Sequence, residues 1–187
     1  MQNQIQEHCA RELSQALNDN NHDWKVFALA NINNENEPVV RNVVLRSFEN
    51  NRFVCYTDSR SEKIDSIKIK PQVSLCFYSP KLKLQLQVKA TAQIHHTDII
   101  CKQEWDKSSW TSLLCYHMFE KPCTLLDEPF FYKQNSMTKA EAYENFAVIV
   151  CKSIEWDILE LKETGNQRTK VIFNEDGSLL SSHFLVP

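Results

Sequence analysis

From residue 24 to residue 185 the chain is cut into short strand-like runs, and its helical patterns are inserted among them without alternating with them. The runs cover residues 24–32, 39–48, 52–57, 73–78, 82–94, 146–151, 156–161, 168–173 and 179–185. In the fifth run Leu82, Leu84, Leu86 and Val88 share one face, while Lys83, Gln85, Gln87 and Lys89 share the other. Turn-forming residues punctuate the series: the Asn, Glu and Pro of 33–38, then Glu49-Asn50-Asn51, then Gly165 and Gly177. Helical spacing is confined to residues 5–17, to 61–69 ahead of Pro71, and to 97–116, where Thr97 or Asp98 is the expected cap. Many closely spaced strands without βα alternation predict a mainly β (α+β) fold. Its form is an antiparallel barrel with flanking helices, not a doubly wound parallel sheet.

A length of 187 residues suits a single domain spanning 1–187, with an N-terminal helix in 1–20 and a long irregular connection over 121–143. The net charge of −3 argues against a nucleic-acid partner. No apolar run approaches the roughly 20 residues of a membrane span, and the polar first 20 residues do not read as a signal peptide. None of the seven cysteines forms a C-x-x-C pair, so the expected compartment is a reducing cytoplasm.

The chain has only two glycines, so a Gly-rich phosphate cradle of bare backbone is absent. An anion must be held by side chains, and one stretch offers them. Arg41-Asn-Val43-Val44-Leu45-Arg46 forms one strand; Tyr56-Thr57-Asp58-Ser59-Arg60-Ser61-Glu62-Lys63 ends the next and starts a helix, with Ser61 as its cap. Arg41 and Arg46 are five apart, which turns them to opposite faces of an unbroken strand. Either a bulge intervenes or the two serve different parts of a cleft. A phosphate monoester would gain ~1.5–3 kcal/mol from each charge-assisted contact. His95-His96 with Asp98 lacks a third ligand at metal spacing, so no metal is expected. Cys115 and Cys123 have no partner arranged for nucleophilic chemistry, and no side chain stands out as a catalytic acid or base.

Pro38-x-x-Arg41-x-Val43-Val44-Leu45-Arg46, Tyr56-Thr57-Asp58, Arg60-Ser61-x-Lys63 and a strand-borne Gln85 follow one another in order. Together they resemble the pyridoxamine 5'-phosphate oxidase-related family of FMN-binding split barrels, in its shorter, less characterised branch. The likeness runs from Trp24 to Ala92 and resumes more weakly at Glu144-Asn145-Phe146-Ala147, from Trp156 to Leu161, and at Leu185-Val186-Pro187. It implies a six-stranded split barrel that forms a homodimer, with FMN in two interfacial clefts. Residues Arg41 through Arg46 would line the flavin, with Arg41 on the phosphate. Tyr56 and Thr57 would add backbone and hydroxyl contacts, Lys63 (with Ser61 beside it) a phosphate contact, and Gln85 a hydrogen bond near the isoalloxazine. Arg168 would approach the flavin from the late strands.

The chain also departs from the family pattern. Glu62 stands where the oxidase has a second basic residue, and Arg60 is expected to supply that charge. The arginine and serine that follow a tyrosine and grip the oxidase's substrate phosphate are replaced, after Tyr116, by His117-Met118-Phe119-Glu120-Lys121. The Arg-x-His motif before the last arginine is here Gly165-Asn166-Gln167-Arg168. The flavin half of the pattern is kept and the vitamin half is not. The resemblance therefore implies an FMN-dependent oxidoreductase passing two electrons, as hydride, to or from a small molecule. The alternative is a split barrel that holds FMN or haem without turnover.

Overall fold

The computed structural model describes residues 2–128 and 137–187. Among them, nine strands form one antiparallel sheet: β1 (Val26–Ile32), β2 (Pro38–Val44), β3 (Ser47–Glu49), β4 (Arg52–Asp58), β5 (Gln72–Ser79), β6 (Leu84–His95), β7 (Phe146–Glu160), β8 (Gln167–Phe173) and β9 (Leu179–Leu185). The strand order is β2-β1-β5-β6-β7-β4-β3, with the β8–β9 hairpin attached to β7. β2 and β3 are two halves of one bent segment. The first half pairs with β1 and the second with β4. The Leu45 N–H donates to the Lys25 carbonyl at 2.8 Å and the Arg46 N–H to the Val54 carbonyl at 2.9 Å, so the ladder crosses the bend. The sheet thus returns on itself as the expected six-stranded split barrel.

Strict alternation of burial explains why these segments pair as they do. Phe27, Leu29 and Asn31 of β1 point inward, as do Phe53, Cys55 and Thr57 of β4 and Leu84, Leu86, Val88 and Ala90 of β6. The barrel is filled by aromatic rings: Phe27 stacks on Phe77 at 4.6 Å, Phe77 meets Trp24 at 5.7 Å and Phe53 at 5.5 Å, and Phe53 meets Trp156 at 6.2 Å. Helix α1 (Gln2–Asn18) buries Ile5, Cys9, Leu13 and Ala16 in that same core. Helix α2 (Glu62–Ile69) does so through Ile67.

A second, smaller core lies on the outer side of β4. Helix α3 (Ile99–Lys107) brings Cys101 and Trp105, and the one-turn helix α4 (Trp110–Leu113) brings Leu113. The 3-10 turn Leu114–Tyr116 adds Tyr116, and α5 (Lys139–Glu144) adds Ala142, against Phe146 and Val148.

Several expectations change in detail. Residues 146–151 and 156–161 are not two strands but the single β7. Ile154 is an extra, 47% exposed residue at a register shift opposite Lys89/Ala90. Ser153 beside it is buried, donating to the Asn51 carbonyl and accepting from the Trp156 indole. Leu82 is outside β6, in a turn where Lys83 has φ 51°. The helical pattern of 97–116 breaks at Ser108, and Asp98 is the cap, accepting from the Cys101 N–H at 2.9 Å. The 49–51 turn is a two-residue hairpin, with φ 49° at Asn50 and 57° at Asn51. The connection expected over 121–143 ends in α5, and its residues 129–136 lie outside the described residues.

Candidate functional site

β4 ends at Asp58, and the chain turns at Ser59–Ser61 into α2. Thr57 is on the inward face of β4, so its hydroxyl meets the first turn of that helix. The half-buried Lys63 ammonium donates to the Thr57 hydroxyl at 3.0 Å and the Ser61 hydroxyl at 2.5 Å. Ser61 occupies the N-cap position, but its side chain caps nothing; it faces Lys63 instead. Arg41 points inward from β2, directly across from Leu29. Its guanidinium donates to the Asn31 side-chain carbonyl and to the Leu29 backbone carbonyl at 3.4 Å.

Among the described residues, every hydrogen-bond acceptor these two cations find is neutral. Burial, and after it the nearby Arg41 charge, push the Lys63 ammonium below its ordinary pKa. Burial likewise lowers that of Arg41. Behind them lies the Cys55 thiol, raised to about 12 by burial against the pull of Lys63, Arg46 and Arg41. Positive charges in proteins are ordinarily paired when withdrawn from water. An ammonium, a guanidinium and two hydroxyls with no carboxylate among them form the donor set that a phosphate takes.

Arg46 is on the other side of β4, as its odd spacing from Arg41 required. Val43 and Leu45 keep the inward phase of Arg41, and Arg46 follows them outward by simple alternation; the extra residue of the bend comes after Leu45, since Phe48, three further on, also packs against the barrel core. There its guanidinium lies 5.1 Å from the Tyr56 ring centre and donates to the Ser112 hydroxyl at 3.2 Å. Its buried Nε has no hydrogen-bond partner among the described residues. Tyr56 donates to the Glu104 carboxylate at 2.8 Å and accepts from Ser108 at 3.2 Å. Burial above all holds its phenol well above the usual pKa.

Arg60 is already engaged. It forms a two-bond pair with Asp58, at 2.9 and 2.7 Å, and donates to the carbonyls of Met118 and Phe119. Its position ties the segment after Tyr116 to the end of β4. Val43 packs against the core, Val44 is half-buried and Leu45 is fully buried.

Gln85 and Arg168 sit elsewhere. The registers align Tyr78, Gln85, Leu159 and Arg168 in one row across β5, β6, β7 and β8, on the outer face of the sheet. Arg168 is held by Asp157 through two bonds of 2.8 Å. Within one chain, then, Arg41, Thr57, Ser61 and Lys63 converge, Arg46 and Tyr56 form a neighbouring group, and Gln85 and Arg168 stand apart from both.

A cleft of about 690 Å³ opens between α1 and the β8–β9 hairpin, lined by Ile5, His8, Arg11, Arg168 and Phe184 among others. Its chemistry differs from that of the cation group. Arg168 is paired with Asp157 and Lys162 with Glu160, so much of its positive charge is already met. His95 and His96 turn apart, one to Asp98 at 2.7 Å and the other to the Glu144 carbonyl at 2.9 Å.

Two residues of this site escaped the sequence reading. Glu104 anchors Tyr56 from a helix whose register the sequence does not fix. Asn31 left a legible signal, since it is the single polar side chain at an inward position of β1, in phase with Phe27 and Leu29.

Residues 5–96 match the family model described as pyridoxamine 5'-phosphate oxidase, FMN-binding domain. The span includes every member of the cation group and Gln85, but not Arg168. The pyridoxine/pyridoxamine 5'-phosphate oxidase of Pelagibacter ubique is 34% identical over 71 residues, 38% of this chain and 34% of that protein. That of Rubrobacter xylanophilus is 32% identical over 82 residues, 44% and 38% of the two chains. The matched segment thus spans little more than a third of these relatives. Among solved structures, a pyridoxamine 5'-phosphate oxidase-related, FMN binding protein from Nostoc punctiforme superposes with a TM-score of 0.74. It is 20% identical, over 97% of this chain and 96% of that one. PhzG from Burkholderia lata gives 0.72 at 14% identity, over 97% and 91%. At such identities the likeness is one of fold.

Proposed function

Because the chain belongs to the pyridoxamine 5'-phosphate oxidase-related family of FMN-binding split barrels, we propose that it binds FMN and serves as a two-electron oxidoreductase toward a small molecule. One observation carries the reading: Arg41 and Lys63, partly buried and satisfied only by neutral acceptors, converge beside the hydroxyls of Thr57 and Ser61. In this assignment those four groups hold the phosphate. The bend at Val43–Arg46, with Tyr56, borders the rest of the cofactor, and Arg60 orders the segment from Met118 to Phe119. Bound FMN supplies the hydride chemistry. The chain's part is to grip the phosphate, shield it from competing water and orient the ring system.

We further propose a homodimer. The outer face of β2, β1 and β5 exposes Val40, Val26 and Tyr78 around half-buried Ala28, Ala30 and Cys76, and the Tyr78–Gln85–Leu159–Arg168 row continues it. Packing two such faces together would place Gln85 and Arg168 at the junction between the copies. A cytoplasmic setting suits the seven free cysteines. No helix among the described residues is long and apolar enough to cross a membrane.

The test is reduction of the FMN-loaded protein by NADH, NADPH or a phosphorylated B6 vitamer under anaerobic conditions. Bleaching of the flavin band and its return with oxygen support turnover. A flavin that stays oxidised with every donor would favour a holding role over catalysis.

The lowered pKa of Lys63 gives a pH prediction. Phosphate binding needs the ammonium, so the complex raises that pKa and takes up protons. FMN affinity should be greatest above the phosphate's second ionisation, about pH 6. It should fall as pH rises through the depressed Lys63 value, which lies below the ordinary lysine pKa of about 10.4. Dissociation constants measured across pH check this. A constant affinity up to the ordinary range would contradict it.

A further inference from the structure

We infer that Asn31 is a charge-sparing positioning residue: it fixes the Arg41 guanidinium through a neutral acceptor and so leaves the full positive charge for a phosphate. The inference rests on the proposed FMN site. Asn31 is 4% exposed, on the inward face of β1, and its backbone is paired with Val39 of β2 and Val73 of β5. Arg41 lies two residues beyond Val39 on the same face, so Asn31 is its diagonal cross-strand neighbour. The Asn31 amide nitrogen donates to the Ile32 carbonyl at 3.1 Å. That bond sets the amide's orientation and turns its oxygen toward Arg41, which donates to it.

A buried arginine needs an acceptor, and the usual one is a carboxylate. A carboxylate here would satisfy Arg41 and cancel the charge on which anion capture depends. The same logic holds next door, where Lys63 is hydrogen-bonded to the hydroxyls of Thr57 and Ser61 and to no acid among the described residues, the nearby Asp58 being bonded to Arg60. By contrast Arg60 and Arg168, which carry carboxylate partners in Asp58 and Asp157, are already spent. The site thus separates cations that hold the protein together from cations kept for a ligand, and at Arg41 the choice of amide over acid makes the difference.

The experiment is equilibrium titration of Asn31→Asp, Asn31→Ala and the parent protein with FMN at several salt concentrations, followed by flavin fluorescence. Asn31→Asp is nearly the same size and still accepts from Arg41, so the barrel should fold even though the bond to the Ile32 carbonyl is given up. FMN affinity should drop about 10- to 100-fold, the worth of one charge-assisted contact. Its salt dependence should also flatten, because one site charge has been neutralised. Asn31→Ala keeps the charge and loses the orientation, so affinity should fall several-fold with the salt dependence retained. A merely structural role would weaken both variants alike and leave the salt slope unmoved.

If the parent binds FMN and Asn31→Asp matches it in affinity and slope, the inference is wrong and the FMN site stands. If Asn31→Asp does not fold, Asn31→Ala decides alone, and parent-like affinity in it overturns the inference. If the parent binds no FMN, the proposed function itself fails.

Discussion

Lys63→Met should weaken FMN binding by about 10- to 100-fold while leaving the cofactor-free protein as stable as the parent or more so. The two halves of that expectation have one cause. In the free protein the ammonium is half-buried beside Arg41, its pKa is depressed, and its two partners are neutral hydroxyls. A group with a lowered pKa in the folded state disfavours folding while it stays charged, and that burden lightens only as pH rises through the folded value. Methionine removes it and keeps much of the volume. With FMN present the sign reverses, because the phosphate stabilises the same charge. Flavin titration and urea unfolding of the free variant read the two effects separately. A variant that loses stability without losing FMN would mark Lys63 as a structural cation.

The second large effect belongs to the barrel. Phe77→Ala should destabilise the protein by about 3–5 kcal/mol, the range for deleting a buried aromatic ring. Phe77 is fully buried on β5 and touches Phe27, Trp24 and Phe53, linking rings from β1, its entry segment and β4. The loss should appear in the urea midpoint. Because Phe53 precedes Thr57 on the same face of β4, FMN affinity should fall with it. Near-parent stability would mean that the neighbouring rings collapse into the gap.

The contrast between these two sites shows what the sequence discloses. The cation group was legible because its members are close in sequence: Arg41, Thr57, Ser61 and Lys63 sit on two consecutive strands and the helix start that follows. The strands were legible from period-two burial, and the Asn50-Asn51 hairpin from its residues. What stayed hidden depends on pairing between distant segments. Residues 152–155 fall between the two expected strands 146–151 and 156–161. β7 runs through them because Ser153 finds the Asn51 carbonyl and the Trp156 indole, and Ile154 is absorbed as an extra residue opposite Lys89/Ala90. Arg60 looked like a ligand for phosphate, yet Asp58, two residues earlier, takes up its charge through two bonds. Asn31 gains its partner only through the β1–β2 register.

The separation of Gln85 and Arg168 from the cation group has the same origin. Their spacing says nothing of which face they share. The registers put them in one outer row with Tyr78 and Leu159, away from the inward side of β2 and β4. The neutral surroundings of Arg41 and Lys63 are therefore the firmest ground for the functional reading, and the outer row is the part that asks for a second copy.

Side-by-side titration of the flavin-free protein with FMN and with riboflavin tests that ground most directly, because the two ligands differ only in the phosphate. Saturable FMN binding at one site per chain is expected, with riboflavin weaker by at least about 100-fold, since two or more charge-assisted contacts are lost with the phosphate. Equal affinity for the two, or no binding of either, would contradict the claim that Arg41 and Lys63 are held in reserve for a mononucleotide's phosphate.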